Sequence, residues 1–568
     1  MPRVFRVFAF CLPCLLFCTS HAVASDVQWR VALSSSDPGI SEPSLPAAHS
    51  FSHAGLADSG TGMLGFQWAP TSTLTPDGNW VERGTSFAEY AAVGVTGAQG
   101  PGRSGSESTH VFRSLYYGDA NDSGVRAFGA TANDPADPAS SASIGAWLWD
   151  GTKNVEIARV GASGALGPGL DSGRVYTSLH NTNDLNSKVN VLTLPNRQVL
   201  FAGRIGTAAT LGSDGLSIYV PGSGNYPCML QGSSDTTLYP GLVGTTFGGI
   251  SALTAVSPGG DVYAYAFVNP NGTVFDDGIW QFCNGAPRPA VLTQVAGKFG
   301  PGLADANAIF GTDSTGLSAY IAPSLPGSFY FSSGGKMSAA SGGASFFGLF
   351  HHDNAQQRNV PMLLQNTQGA LGPQIAGYVF HMNVATYNVR AAGKYAALLT
   401  TISPAGTPSS SNNGLWRITA DGTIAPVAIT GNTGAYAPAP GRIWNGTYYQ
   451  YAVFDNGDIV VLADTKNVAS SIVATSWWRL SRDAAPLEIL KAGDLVTVPT
   501  PTGTITAPVT SVYAQVVLGV PPTAGRDTWF SANGNILAQV TIQGYASTTT
   551  LVRGLAARPN IIFANGFD

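Results

Sequence analysis

The chain has 568 residues, with 28 Lys or Arg against 33 Asp or Glu and a formal net charge of −5. Only 11% of the residues are charged and 44% are hydrophobic, whereas an average soluble protein is about 25% charged. This composition excludes a disordered chain and a basic nucleic-acid-binding surface, and with 69 Gly and 36 Pro it indicates a large, turn-rich, mostly β protein.

Residues 1–24 have the pattern of a secretory signal peptide. Arg3 and Arg6 precede an apolar run over residues 7–17, and residues 22–24 (Ala-Val-Ala) form a small-residue cleavage site. No later apolar run reaches the roughly 20 residues that span a bilayer. We therefore expect a secreted protein, extracellular or at the cell surface, with no membrane span and with the periplasm as the alternative location.

Cysteine usage agrees with export. Three cysteines leave with the signal peptide, and only Cys228 and Cys283 remain. In an oxidising compartment these two can pair, so we predict a disulfide, with two unpaired buried thiols as the alternative. A lipid anchor on Cys18 is disfavoured because the residue before it is Phe17.

A repeat of about 67 residues runs through the mature chain. Its first mark is a turn followed by an apolar strand, and these turns end near residues 60, 124, 197, 260, 327, 393, 457 and 534. Its second mark is a corner at Pro38, Pro101, Pro168, Pro240, Pro301, Pro373, Pro440 and near Pro499. Its third mark is an aromatic strand residue at Trp149, Tyr219, Trp280, Phe350, Trp416 and Trp478. Each unit is predicted to contain only strands and turns.

The strands after the turns, such as 459–462, are apolar on both faces and must be covered on both sides. Radial stacking of sheets achieves this, so we predict an all-β β-propeller over residues 25–560 and a short tail over 561–568. The corner at Pro38 comes only about 14 residues into the predicted mature chain, too early to close a whole repeat unit. We therefore predict that residues 26–33 complete the last unit by pairing with strands over about 500–555. Eight blades are expected, with seven as the alternative and a linear β-solenoid as the structural runner-up.

The unit resembles those of secreted bacterial repeat proteins of uncharacterised function, which read as Asn-Asp-x-Gly, then Gly-x-Trp, then a Pro-Gly corner. Residues 121–170 match this pattern best, and the resemblance covers nearly the whole mature chain. It implies a propeller-like domain and an exported protein, and it transfers no catalytic residue.

Several polar clusters are candidates for chemistry. Residues 119–124 resemble a calcium loop but lack its twelfth-position Glu, which favours a simple turn. His351-His352-Asp353 is interpreted as a polar loop, because neighbouring strand residues point to opposite faces and cannot share one metal ion. Asp276, Asp277 and Glu488 are available carboxylates for glycoside cleavage, although solvated loop charges are the simpler interpretation.

Aromatic density gives the remaining candidate. Trp444, Tyr448 and Tyr449 flank the polar residues 445–447, and Trp477 and Trp478 lie one unit farther along the chain. Exposed rings of this kind stack on sugars, whereas buried rings would pack between blades. Both interpretations stay open at the level of sequence.

These observations predict an exported binding or interaction protein that recognises its unknown ligand, a polysaccharide or a surface protein, through loops on one face of a propeller. A secreted hydrolase or lyase acting on polysaccharide and a structural protein of the cell surface are the alternatives. The chain has no nucleophile elbow, phosphate loop or dinucleotide fingerprint. We therefore lean against an enzyme and expect a monomer without cofactor or bound metal.

Overall fold

The computed structural model describes residues 27–34, 38–41, 49–56, 64–70, 78–83, 86–116, 119–120, 126–137, 142–171, 173–179, 191–210, 212–257, 259–270, 277–311, 321–337, 343–381, 389–407, 412–513, 529–531, 534–545 and 550–555. These residues form an all-β structure whose strands lie in eight sheets. The predicted signal peptide and the predicted tail over 561–568 lie outside the described residues. Short 3-10 segments are the helical elements of the described part, at Pro38–Ile40, Gly105–Glu107, Gly164–Leu166, Pro195–Arg197, Gly297–Phe299 and Gly369–Leu371.

The sheets follow one another along the chain. The first strand, β1 (Arg30–Ser34), belongs to the last sheet and is followed by sheet 1, with β2 (His49–Leu56), β3 (Leu64–Pro70), β4 (Gly78–Arg83) and β5 (Ser86–Ala92). Sheet 2 contains β6 (Val111–Leu115), β7 (Asp119–Ala120), β8 (Arg126–Asn133), β9 (Ser143–Trp149) and β10 (Asn154–Arg159). Sheet 3 contains β11 (Arg174–Ser178), β12 (Val191–Thr193), β13 (Val199–Thr207), β14 (Ser213–Val220) and β15 (Gly224–Leu230).

In the next three sheets the strands again follow one another in chain order. Sheet 4 contains β16 (Thr245–Val256), β17 (Val262–Pro270), β18 (Asp277–Phe282) and β19 (Arg288–Leu292). Sheet 5 contains β20 (Ile309–Phe310), β21 (Ile321–Pro323), β22 (Phe329–Lys336), β23 (Ser345–Asp353) and β24 (Arg358–Leu364). Sheet 6 contains β25 (Tyr378–Phe380), β26 (Val389–Ala392), β27 (Tyr395–Pro404), β28 (Asn412–Thr419) and β29 (Ile424–Ile429).

The last two sheets end the described chain and bring its two ends together. Sheet 7 contains β30 (Arg442–Val453), β31 (Ile459–Asn467), β32 (Val473–Leu480) and β33 (Leu487–Leu490). Sheet 8 contains β34 (Leu495–Thr500), β35 (Gly503–Tyr513), β36 (Asn535–Ile542) and β37 (Thr550–Leu555), together with β1. β1 pairs antiparallel with β37 and also meets β34 in parallel at Arg30 and Thr497, so sheet 8 closes on itself.

The first strand of most sheets is interrupted at a similar level. In sheets 2, 3, 5 and 6 it consists of two short pieces that pair with the same second strand. In sheets 4 and 7 it is continuous, but its register shifts between Ile250 and Thr254 and between Trp444 and Tyr448. These interruptions place extra residues beside the second strand at corresponding positions of successive sheets.

A β-bulge in the fourth strand recurs in all eight sheets. In each sheet, one fourth-strand residue is skipped where the strand pairs with the third strand, and we call it the bulge residue. The bulge residues are Tyr90, Ile157, Cys228, Ala290, Met362, Val427, Ile489 and, in β1, Ala32. β1 therefore has the irregularity of a fourth strand, although it lies at the other end of the chain.

The bulge also corrects the register of the aromatic repeat mark. In each sheet, one third-strand residue pairs with the fourth-strand residue just before the bulge residue, and we call this the position beside the bulge. From sheet 1 to sheet 8 these residues are Trp80, Trp147, Ser217, Trp280, Phe350, Trp416, Trp478 and Val552. Trp149 and Tyr219, which the sequence analysis placed in this series, lie two residues farther along their strands. The error arose because sheet 2 has two tryptophans on β9, and sheet 3 has a serine at this position.

Asparagines in the fourth strands connect neighbouring sheets. Asn154, Asn225 and Asn359 are buried at the same position in their sheets, three residues before the bulge residue. Each donates its side-chain amide to the carbonyl of the preceding sheet's bulge residue and to that of a glycine in the intervening corner. For Asn225 these bonds are 2.8 Å to Ile157 and 2.9 Å to Gly167. We call these side chains the asparagine latches.

The corner between two sheets is held by its proline and its glycine. Indole nitrogens of the third strands donate to proline carbonyls of the corners, from Trp147 to Pro101, from Trp280 to Pro240 and from Trp416 to Pro373. The corner glycine Gly169 has a φ of 70°, and a Cβ there would collide with the backbone oxygen of Asn225. The Pro-Gly pattern is therefore a docking point for the next sheet as well as a turn.

The predicted disulfide is present and joins sheets 3 and 4. Cys228, the bulge residue of β15, is bonded to Cys283, which follows β18. In β19 and the residues before it, Pro287 occupies the position that corresponds to Asn154, Asn225 and Asn359 of the asparagine latches. The covalent bond therefore connects the bulge residue to the next sheet at a junction that has no asparagine latch.

Candidate functional site

Four of the five aromatic residues predicted to contact a ligand are buried. Trp444 and Trp477 are fully buried, and Trp478 and Tyr448 are almost so. The ring centroids of Trp444 and Trp478 lie 5.4 Å apart in an edge-to-face arrangement, and Trp477 packs on Phe530. This burial favours the packing interpretation for these four side chains. Tyr449 differs from them, because 42% of it is exposed.

Tyr449 lies just after the interruption in the first strand of sheet 7. Its hydroxyl donates to Oδ2 of Asp464 on β31 at 3.0 Å, and the hydroxyl of Thr475 on β32 donates to Oδ1 at 2.6 Å. Partial burial and the neighbouring carboxylate raise the pKa of Tyr449, so the hydroxyl keeps its proton at neutral pH. Three strands therefore fix the orientation of one exposed aromatic ring.

The interruption beside Tyr449 is itself anchored. Asn413 of sheet 6 donates its side-chain amide to the carbonyl of Gly446 at 2.9 Å. Gly446 has a φ of 93°, which favours glycine, and its neighbours Asn445 and Thr447 are exposed. The exposed ring of Tyr449 thus has a carboxylate at its hydroxyl and the exposed polar residues Asn445 and Thr447 nearby along β30, and such combinations occur on surfaces that bind polar ring compounds.

Sheet 4 carries a similar aromatic and carboxylate group. Tyr265 on β17 donates a short hydrogen bond to Oδ2 of Asp277 on β18, and the ring of Phe267 meets that of Tyr265 edge to face with centroids 5.3 Å apart. Phe267 is 48% exposed. Asp277 pairs across the strands with Phe267 as Thr475 pairs with Asp464. Sequence analysis identified Asp277 and missed Tyr265 and Phe267, whose contact with it depends on the register between β17 and β18.

The two histidines do not form a polar loop, and that interpretation was wrong. His351 and His352 lie within β23 and are both buried. As the strand geometry predicts, they point to opposite faces, His351 against Tyr330 and His352 against Phe329. Burial lowers the pKa of His351 to about 4 and also lowers that of His352, so both are neutral at physiological pH.

His352 also acts on a latch. Its Nδ1 lies 3.0 Å from Oδ1 of Asn359, whose amide nitrogen donates to three backbone carbonyls. Because the amide nitrogen faces acceptors, Oδ1 faces the imidazole and must accept. The proton of neutral His352 therefore resides on Nδ1.

Other acidic residues are engaged in ion pairs. Glu488 lies 3.1 Å from both Arg442 and Lys491. On sheet 2, Glu156 and Glu107 both pair with Arg159, and the hydrogen bond from Arg159 lowers the pKa of Glu107. Sequence reasoning did not find the sheet 2 network, whose members come from a corner and from β10.

The calcium-loop candidate is only partly described. Asp119 belongs to β7, whereas residues 121–124 lie outside the described residues, as does Asp276. In the described ranges, no group of three or more His, Cys, Asp or Glu residues is placed to hold a metal ion. Among the same residues, no helix has the length and hydropathy required to cross a membrane.

Comparisons with known proteins give a family and distant structural similarities. Residues 59–541 match the model of a family of unknown function (DUF7453), and no curated protein matches the chain in sequence. Among solved structures, the β-propeller domain of the Trilobed protease from Pyrococcus furiosus is 9% identical over 78% of this chain and 99% of its own, with a TM-score of 0.30. An ulvan lyase of polysaccharide lyase family PL25 is 8% identical over 84% of this chain and 93% of its own, with a TM-score of 0.27.

An α-L-arabinanase from Penicillium chrysogenum, solved with arabinobiose, is 10% identical over 78% of this chain and 93% of its own, with a TM-score of 0.20. These TM-scores and identities are too low to transfer an activity.

Proposed function

The chain belongs to this family of unknown function, and from its own geometry we propose that it is an exported binding protein that recognises a polysaccharide beside the junction of sheets 7 and 8. The exposed ring of Tyr449, held by Asp464, carries this proposal. Leu462 of β31 packs with residues of sheet 8. Asp464 is two residues farther along β31, so its side chain points to the same face of the strand. The ring therefore lies beside the junction of the two sheets.

Preorganisation is the physical reason for this assignment. A ring that is already fixed loses little side-chain entropy when a ligand stacks on it. Aromatic faces bind the apolar faces of sugars, while neighbouring carboxylate and amide groups bind their hydroxyls. Asp464 supplies such a carboxylate at the Tyr449 hydroxyl, and the exposed Asn445 and Thr447 lie within four positions of Tyr449 on the same strand.

We further infer that the eight sheets are blades of one ring, closed by β1 in sheet 8. Pieces of successive first strands contact one another, in the pairs β7–β12, β16–β21, β21–β26 and β26–β30, as the innermost strands of a ring would. Between sheets 8 and 1, Nη1 of Arg553 donates to both carboxylate oxygens of Glu82, at 2.7 and 2.8 Å. Both side chains are largely buried.

Deleting residues 25–33 tests this closure. The deletion removes most of β1 and its pairing with β37, so we expect a large fall in the midpoint of thermal unfolding. The Arg553→Met variant should lower the midpoint less, because it removes the ion pair and keeps the strand. A deletion variant that melts like the full mature chain would contradict the ring closed by β1.

Binding is tested with the purified mature chain and soluble xylan, alginate, polygalacturonate and arabinan, by affinity electrophoresis with reducing-end release measured in parallel. We expect retardation by at least one polymer without release, and weaker retardation of Tyr449→Ala. The control is Tyr226→Ala, which removes another exposed tyrosine whose hydroxyl is hydrogen-bonded, in that case to Ser223. Release of products would favour the hydrolase or lyase alternative, and no retardation would overturn the proposal.

Export is tested in the source organism. Intact-mass analysis of protein recovered from the culture medium should give a chain that begins at Ser25. A chain that is found only inside the cell with residues 1–24 attached would contradict export.

A further inference from the structure

We propose that Phe267, Tyr265 and Asp277 of sheet 4 form a second ligand subsite of the same kind as that at Tyr449, so that the protein binds a repeating polymer at two positions. This inference rests on the proposed function and extends it from a polysaccharide-binding site to bivalent recognition of one chain.

The first argument is equivalent position. Asp277 lies three residues before Trp280, and Thr475 lies three residues before Trp478. Trp280 and Trp478 both occupy the third-strand position beside the bulge. The pairs Phe267–Asp277 and Asp464–Thr475 are therefore in the same register of their sheets.

The second argument is equivalent chemistry. Each group has a tyrosine hydroxyl that donates to an aspartate and an aromatic ring that is more than two-fifths exposed. In sheet 7 one tyrosine supplies both features. In sheet 4 Tyr265 supplies the hydroxyl, while Phe267 supplies the exposed ring and packs on Tyr265.

The third argument is direction. The face of β17 that carries Tyr263 and Tyr265 packs against sheet 5, and Phe267 has the same parity. Asp464 points to the same face of β31 as Leu462, and that face packs towards sheet 8. Both groups therefore lie on the side of their sheet that faces the next one.

Two equal subsites predict avidity for a polymer. A chain that is bound at one subsite presents its next units to the other at a high effective concentration, provided that it spans the distance. A short oligomer has no such advantage and should occupy each subsite independently. The equivalence of the two groups therefore predicts a stoichiometry of two for oligomers and one bridged complex for long chains.

The test compares Phe267→Ala, Tyr449→Ala and the double variant, with Tyr226→Ala as the matched exposed-tyrosine control. The probes are the four polymers named above and, by calorimetry, xylotetraose, tetramannuronate, tetragalacturonate and arabinotetraose. For the polymer that retards the wild type, each single variant should weaken binding about 10-fold, because one subsite and the avidity are lost, and the double variant should not be retarded. The matching tetrasaccharide should bind with a stoichiometry of two in the wild type and one in each single variant.

The outcomes separate this inference from the proposed function. A stoichiometry of one that Tyr449→Ala abolishes and Phe267→Ala leaves unchanged would overturn the second subsite and retain the first. Binding of neither polymers nor tetrasaccharides would overturn both. Circular dichroism and the unfolding midpoint establish that each variant is folded before its binding is compared.

Discussion

Asn225 donates its side-chain amide to the backbone carbonyl of Ile157 at 2.8 Å and thereby joins the fourth strands of sheets 3 and 2. The two residues are 68 positions apart, which is one repeat of the chain. The carbonyl belongs to the bulge residue, so the irregularity in one sheet provides the acceptor for the next. Junctions of this type hold separate sheets in a fixed order.

Asn225→Ala should destabilise the protein. The substitution leaves the carbonyls of Ile157 and Gly167 without this donor in a buried position, which costs about 1–3 kcal/mol. Urea unfolding should show a lower midpoint. Asn284→Ala, at an exposed asparagine, is the control and should leave the midpoint unchanged; equal midpoints for the two variants would show that the latch adds no stability.

Gly169→Ala should be more harmful than Gly222→Ala. Both glycines have positive φ, of 70° and 79°, so each substitution incurs the left-handed cost of about 1–2 kcal/mol. Only at Gly169 would the new methyl group also collide with the carbonyl of Asn225, whereas no heavy atom lies within 4 Å at Gly222. Comparison of their urea midpoints isolates the contribution of the close approach, and similar midpoints would contradict it.

Removal of the disulfide should lower stability by about 2–4 kcal/mol. The Cys228→Ser/Cys283→Ser variant should unfold at a lower urea concentration than the oxidised wild type. Reductant should shift the wild type towards the variant and leave the variant unchanged. Free thiols at both cysteines in non-reducing peptide mapping of the oxidised protein would contradict the bond.

His351 should make the protein less stable in acid. Its folded-state pKa of about 4 lies below the unfolded value of about 6.5, because burial disfavours the charged ring, while the nearby Asp353 raises the pKa and His352 lowers it. The unfolded state therefore binds more protons, and stability that is present above pH 6.5 is lost as the pH falls towards 4.

The measurement is the unfolding midpoint between pH 7 and pH 4 for the wild type and for His351→Phe, which keeps a ring against Tyr330. The variant should lose less stability over this interval, and the remaining slope should include the contribution of His352, whose pKa burial also lowers. Identical slopes would show that His351 does not titrate as its burial predicts.

Local sequence determined a large part of the fold. Gly and Pro at a regular spacing specify turns by their backbone preferences, and runs that are apolar on both faces specify strands covered on both sides. These features do not depend on distant contacts. They were sufficient to predict an all-β chain and the pairing of an N-terminal strand with C-terminal strands, whereas the partner of Cys228 followed from the number of cysteines outside the predicted signal peptide.

Tertiary structure decided the parts that depend on which residues meet across sheets. Trp444 and Tyr449 have similar sequence surroundings, yet Trp444 is buried against Trp478, whereas Tyr449 is exposed where the register of β30 shifts between Tyr448 and Gln450. The histidines were misassigned for a related reason: their polarity suggested a loop, whereas packing on Tyr330 and Phe329 stabilises them inside a strand. Burial and hydrogen-bond partners are set by residues tens of positions away, so sequence spacing alone does not determine them.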